Sequence, residues 1–164
     1  MIILNDKMIS LYKGLELSKK KIATNLLHLS NGGFIENNGC YFLKKLYNIN
    51  RHLKESNFPD KTGFECFVNS IHIDDYTNDD FLAQAIFFLN EIFINWSQDG
   101  DKILKGIIGQ TEYGANIKFH VVRDGENWID EKKIDEFKDG LIIQTSTISR
   151  TKGNVPIVLV SLQP

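Results

Sequence analysis

The segment Thr77–Trp96 constrains this chain more than any other, because its apolar residues recur with a helical period along its whole length. Placed at about 100° per residue, Phe81, Leu82, Ala85, Ile86, Leu89, Ile92, Phe93 and Trp96 make one broad apolar face. Asp80, Gln84, Glu91, Asn95 and Gln98 form a polar strip on one side of it, and Asp79, Asn90 and Ser97 form another. Between the strips runs a second apolar stripe of Ala83, Phe87 and Ile94, while Phe88 lies beside the first strip, where partial exposure is expected. Such a helix is either sandwiched between two layers or shows its minor stripe to a partner. Thr77 or Asn78 reads as the N-cap, with Asp79 and Asp80 in the first turn at the positive end of the helix dipole. Polar residues interrupt the apolar run before it reaches the roughly 18 residues of a membrane span.

Two shorter helices are expected before it. One covers 18–29, with Ile22, Leu26 and Leu29 on one face, Ser18 as cap and Asn31-Gly32-Gly33 as terminator. The other covers about 39–55, where Phe42, Leu46, Ile49 and Leu53 share a face and Asn57-Phe58-Pro59-Asp60 ends the pattern. Phe64–Ile73, rich in Phe, Val and Ile, reads as a buried strand. Beyond Gly100 the character turns to strands at Ile103–Thr111, Ile117–Val122, Leu141–Ile148 and Val155–Leu162, with room for a helical turn within Asp130–Lys138. Lys118 and His120 alternate with Ile117, Phe119 and Val121, which predicts one solvated face. The connections are too short for helical crossovers, so the strands pair antiparallel. The fold class is therefore α+β: helices, mostly N-terminal, packed on an antiparallel sheet of about five strands, in a single domain spanning 1–164. At 164 residues the chain is long enough to bury its own core.

The net charge of -2 conceals a segregation. Residues 1–62 carry 10 basic and 5 acidic side chains, and residues 102–164 carry 9 and 8. Residues 63–101 hold Glu65, Asp74, Asp75, Asp79, Asp80, Glu91, Asp99 and Asp101 with no lysine or arginine. The basic N-terminal block either packs beside this stretch or leaves it as a negative surface, which steers a basic partner and repels nucleic acid. Two cysteines, Cys40 and Cys66, make no disulfide framework and read as buried free thiols of a cytoplasmic protein. The N-terminus has no secretory signal pattern.

Catalytic signatures are lacking: there is no Gly-x-Ser-x-Gly elbow, Walker loop or dinucleotide fingerprint. A nuclease pattern assembled from Pro59-Asp60 and Glu131-Lys132-Lys133 has too wide a gap. His72-Ile73-Asp74-Asp75 is the one constellation with metal-ligand character, since on a strand His72 and Asp74 point the same way. It supports the alternative of a small enzyme or a metal- or ligand-binding module using His72, Asp74 and Asp75. His28, His52 and His120 are scattered singly.

The run Gly63-Phe64-Glu65-Cys66-Phe67-Val68-Asn69-Ser70-Ile71-His72-Ile73-Asp74-Asp75-Tyr76, followed by the helix from Thr77, resembles immunity proteins of bacterial contact-dependent growth-inhibition systems. The likeness extends over about residues 40–160 and includes early helices and late antiparallel strands. It implies a cytoplasmic, non-enzymatic inhibitor without cofactor or metal, which binds a cognate toxin domain one-to-one and blocks its active or substrate-binding site. A nuclease toxin with a basic substrate surface suits the acidic block. Charge and expected exposure nominate Asp74, Asp75, Asp79, Asp80, Asp99 and Asp101 for that contact, with Tyr76 and Phe88 as aromatic anchors. A second mode of binding is strand addition at a sheet edge within 103–122 or 155–162.

Overall fold

The apolar helix becomes the layer on which the remaining elements pack. The structure, a computed structural model, describes residues 1–96 and 102–146. In chain order its elements are β1 (Ile2–Leu4), α1 (Asp6–Tyr12), α2 (Thr24–Ser30), β2 (Phe34–Asn37), β3 (Cys40–Leu43), α3 (Lys44–Ile49), α4 (Lys61–Val68), β4 (Ile71–His72), α5 (Phe81–Trp96), β5 (Leu104–Gln110), β6 (Ala115–Val121) and β7 (Gly140–Thr145). The strands form a five-stranded antiparallel sheet in the order β1-β7-β5-β6-β4, with β2 and β3 as a separate hairpin. The α+β class and the five antiparallel strands match the expectation from sequence. The strand expected at Val155–Leu162 lies outside the described residues; β1 and β4 complete the sheet instead.

One face of the sheet carries Leu104, Ile108, Ile117, Phe119 and Ile142 into the main core with Leu82, Ile86, Leu89, Phe93 and Trp96 of α5. Gly106 lets the helix approach closely, since a Cβ there would run into the Leu89 side chain. The other side of α5 meets α2, so the helix is sandwiched, and its first polar strip supplies hydrogen bonds to that neighbour. Gln84 accepts from the Ala23 N–H at 2.7 Å and donates to the Lys21 carbonyl, while Asn95 donates to the Ser30 carbonyl at 2.9 Å. These two side chains satisfy backbone groups at both ends of α2 that no helical partner reaches. Phe88 is fully buried, which removes it from the surface.

The structure departs from the sequence expectation in three segments. The helix proposed for 39–55 is the hairpin β2–β3 followed by the short α3: Asn37 faces Cys40, and Asn38 (φ 52°) and Gly39 (φ 79°) make the two-residue turn. Positive φ at both positions is the geometry an Asn-Gly pair adopts most readily between twisted strands. The strand proposed at Phe64–Ile73 is α4, capped by Asp60, whose side chain accepts from the Gly63 N–H, with only Ile71–His72 extended. The helix at 18–29 begins late: Leu17–Lys19 is a 3-10 turn and the α-helix starts at Thr24.

Burial of α4 explains the strand misreading. All of Thr62–Cys66, together with Val68, is buried, so the segment has no polar face to reveal its period. Two buried polar side chains, Glu65 within α4 and Asn69 at its C-cap, stand one turn apart and join the hairpin to the sheet. Glu65 accepts from the backbone N–H groups of Tyr41 at 2.6 Å and Val121 at 2.7 Å. Asn69 accepts from the Leu43 N–H and donates to the carbonyls of Tyr41 and Phe119. Arg123 closes the cluster, donating to both Glu65 oxygens at 2.6 and 3.0 Å and to the Gly39 carbonyl. The edge of β6 beyond β4 is thus occupied by side chains of α4, and β5 is flanked on both sides, so strand addition within 103–122 has no open ladder to join.

The outer face of the sheet is also covered. Ile107, Leu141 and Ile143 pack with Ile134 and Ile129 from the segment between β6 and β7, where the helical turn expected at Asp130–Lys138 is a 3-10 turn at Glu131–Glu136. His120 is therefore buried rather than solvated, and Lys105 is buried in an ion pair with Glu131 at 2.6 Å.

Candidate functional site

Pairing of β4 with β6 fixes where the acidic segment emerges. Ile71 faces Ile117 and His72 faces Asn116, so the chain leaves β4 beside the turn that connects β5 to β6. There it tightens into a 3-10 turn, Ile73–Asp75, closed by the Tyr76 and Thr77 N–H groups donating to the Ile73 carbonyl. Ile73 is buried and anchors the turn; Asp74 and Asp75 stay exposed. Asp74 lies against the β5–β6 turn, since a Cβ at Gly114 would stand 2.8 Å from its Oδ1. That turn is held by the Thr111 N–H donating to the Gly114 carbonyl and the Tyr113 N–H donating to Thr111 Oγ1. It leaves Tyr113 81% exposed, with Glu112 exposed beside it.

The nominated residues thus divide. Asp74 and Asp75 meet at one end of the sheet with Tyr76, which is half-buried; burial, and then the charge of Asp75, push its phenol above the usual tyrosine range. Asp79 is exposed in the following loop, and its carbonyl accepts from Thr77 Oγ1. Neither Asp79 nor Asp80 belongs to the first turn of α5. Asp80 sits just before it in the left-handed region (φ 54°), its carbonyl accepting from the Gln84 N–H and its carboxylate paired with Lys20. Asp99 and Asp101 lie outside the described residues. Glu65 is internal, and Glu91 is half-buried with its carboxyl pushed up by desolvation. Among the described residues, Asp74, Asp75 and Asp79 are the acids of the block that remain exposed without an ion pair. Tyr113 and Glu112 were missed from sequence, because only the β4–β6 register brings their turn to Asp74.

The same-face alignment of His72 and Asp74 requires a strand, and the 3-10 turn removes it. Among the described residues no group of three or more His, Cys, Asp or Glu side chains is placed to hold a metal ion. The residues of the nuclease pattern serve the fold: Asp60 caps α4 and Glu131 pairs with Lys105. Cys40 and Cys66 are buried free thiols; burial, then the nearby Glu65 carboxylate, push Cys40 up to about 11, and burial also raises Cys66. Among the described residues no helix is long and apolar enough to cross a membrane.

Residues 3–153 match the family described as the Uncharacterized protein PM0498 family. The chain belongs to this family. Uncharacterized protein PM0498 of Pasteurella multocida (strain Pm70) is 27% identical over 139 residues, a match covering 78% of this chain and 87% of that protein. No solved structure matches the chain. PM0498 family membership spans both the hairpin-to-sheet junction at Glu65 and the Asp74–Tyr113 end of the sheet.

Proposed function

We propose that this chain is an immunity protein, a non-enzymatic inhibitor that binds a cognate toxin domain one-to-one and covers its active or substrate-binding site. The observation that supports this reading is that the sheet holds two turns side by side, one carrying the exposed Asp74 and Asp75, the other carrying the exposed Glu112 and Tyr113, with Asp74 against Gly114. Exposed acids on one turn with an exposed aromatic ring on the adjacent turn are suited to a basic protein surface: the charges accelerate encounter and the ring supplies area for a fixed contact. A nuclease domain presents such a surface, and the likeness of the Gly63–Tyr76 run to immunity proteins points to the same class of partner. The partner class is a toxin domain, and the proposed compartment of action is the cytoplasm.

Calorimetric titration against the toxin domain encoded beside this chain, at low and moderate salt, tests the proposal. The expected result is one-to-one binding, with Kd in the nanomolar range, on the order of -12 kcal/mol, that weakens as salt rises. Asp74→Lys with Asp75→Lys should slow association, and Tyr113→Ala should speed dissociation. Absence of binding refutes the function; tight binding indifferent to all three substitutions keeps the function and refutes this surface.

A further inference from the structure

On the far flank of the β5–β6 turn, a groove of about 470 Å³ opens between α1, the end of β5 and the segment entering β7. Its walls carry two ammonium groups, Lys7 and Lys138, and two carboxylates, Glu112 and Asp139, all on exposed residues, yet no ion pair joins them. Leu11 and Tyr113 supply its apolar surface. Gln110, at the inner end, donates its Nε2 to the Thr111 carbonyl at 2.7 Å, whereas its Oε1 is buried without a hydrogen-bond partner. The walls keep their places: Asn5 donates to the Asp139 carbonyl at 2.8 Å and accepts from the Leu141 N–H, which ties α1 to the entry of β7.

We infer that this groove binds a free α-amino acid or a short peptide through its zwitterionic ends. A carboxylate placed between Lys7 and Lys138 and an ammonium facing Glu112 and Asp139 would each gain charge-assisted hydrogen bonds. A turn of the Gln110 amide toward the groove would give the ammonium a third acceptor and the buried oxygen its missing donor. The side chain of the ligand would lie on Leu11 under the Tyr113 ring. The volume lies within the range of small-ligand sites, about 300–1,000 Å³. A lone anion or a lone cation would meet two like charges along with the two opposite ones, so the groove selects for a ligand carrying both signs.

The test is titration of the intact protein, followed by amide NMR shifts and by calorimetry, with leucine, tyrosine, arginine and the dipeptide alanyl-leucine. The same compounds N-acetylated and C-amidated form the second arm. The expected result is saturable binding with Kd below roughly 1 mM, shifts centred on residues 110–113 and 138–139, and at least about a tenfold loss on capping either end. Lys7→Ala and Lys138→Ala, both at exposed positions, should each weaken binding several-fold without changing the melting temperature. A preference for the dipeptide over the free amino acids would assign the ligand to the peptide class, and the reverse to free amino acids. No saturation at about ten times that concentration, or equal binding by capped and uncapped compounds, overturns the inference. Glu112 and Tyr113 belong both to this groove and to the proposed toxin-binding surface, but the titration uses no toxin domain and its variants, Lys7→Ala and Lys138→Ala, lie outside that surface, so failure of one idea is distinguishable from failure of the other.

Discussion

Replacing Glu65 with alanine removes the carboxylate that joins the hairpin to the sheet, and its cost follows from what is left behind. The side chain is completely buried and accepts four hydrogen bonds, two from backbone N–H groups of different strands and two from Arg123. Its loss orphans the Tyr41 and Val121 N–H groups at about 1–3 kcal/mol each. Breaking a buried ion pair from one side costs about 3–5 kcal/mol in comparable sites. These terms overlap, because the Arg123 side chain is 16% exposed and also donates to the carbonyls of Gly39 and Val121, so water and those acceptors recover part of the loss. A net cost of about 4–5 kcal/mol is expected, a large share of the 5–15 kcal/mol of a typical domain. For a chain of this size that lowers Tm by about 8–20 °C.

Urea denaturation followed by far-UV circular dichroism measures it, within a double-mutant cycle of Glu65→Ala, Arg123→Met and the pair together. A coupling of about 2–3 kcal/mol is expected between the two sites, with the double variant more stable than additivity allows. Glu65→Gln is the finer probe. It keeps the shape and one acceptor oxygen, but turns an N–H₂ group toward one of the two backbone donors, so its cost should fall between wild type and alanine. A cost under about 1 kcal/mol for Glu65→Ala, or coupling indistinguishable from zero, would refute the view that this pair fastens the two sheets.

His120 makes stability depend on pH. Burial lowers its pKa, Lys105 and Arg123 add to that lowering, and the Val121 carbonyl and Glu126 oppose it. The folded state therefore keeps the ring neutral where the unfolded chain, near pKa 6.5, is already taking up a proton. Its contribution is complete above about pH 6.5 and declines as pH falls from there toward the lowered folded-state value; urea midpoints at pH 7.5 and 5.5 should converge in His120→Gln relative to wild type. Gly106→Ala should cost about 1–3 kcal/mol by driving a methyl into Leu89, and combining it with Leu89→Ala should be less than additive in thermal melts. Cys40 and Cys66 should resist a thiol reagent at pH 8 in the native state and react together in denaturant; fast native reaction of Cys40 would contradict a thiol raised to about 11.

Legibility from sequence tracked how far each segment's signal was local. The long helix was readable because its apolar face repeats over more than four turns and its first polar strip hydrogen-bonds to the ends of α2. Strands β5, β6 and β7 were readable because β-branched residues cluster there between turns. The hairpin β2–β3 carried its own marker in Asn38-Gly39, yet the spacing of Phe42, Leu46, Ile49 and Leu53 suggested a continuous helix across it. That spacing is coincidental: Phe42 belongs to β3, α3 ends at Ile49, which is 66% exposed, and Leu53 lies beyond it, so the Asn-Gly turn pair should have outweighed it.

The candidate surface was legible only in part, for a different reason. Charge counting along the chain treats eight carboxylates as one block, but exposure is decided by partners that are distant in sequence. Arg123 is 58 residues from Glu65 and takes that charge into the interior; Lys20 draws Asp80 into an ion pair. The acids that remain exposed and unpaired among the described residues sit where a short strand ends beside a turn 40 residues further along, and that turn contributes the ring and the extra carboxylate. A single-sign surface in a protein of small net charge therefore comes from pairing, which removes some charges from view, as much as from composition, which only supplies them. By the same logic Lys7, Lys138, Glu112 and Asp139 were invisible as a group, since four charges from three separate segments face one groove only after α1 has packed against β7.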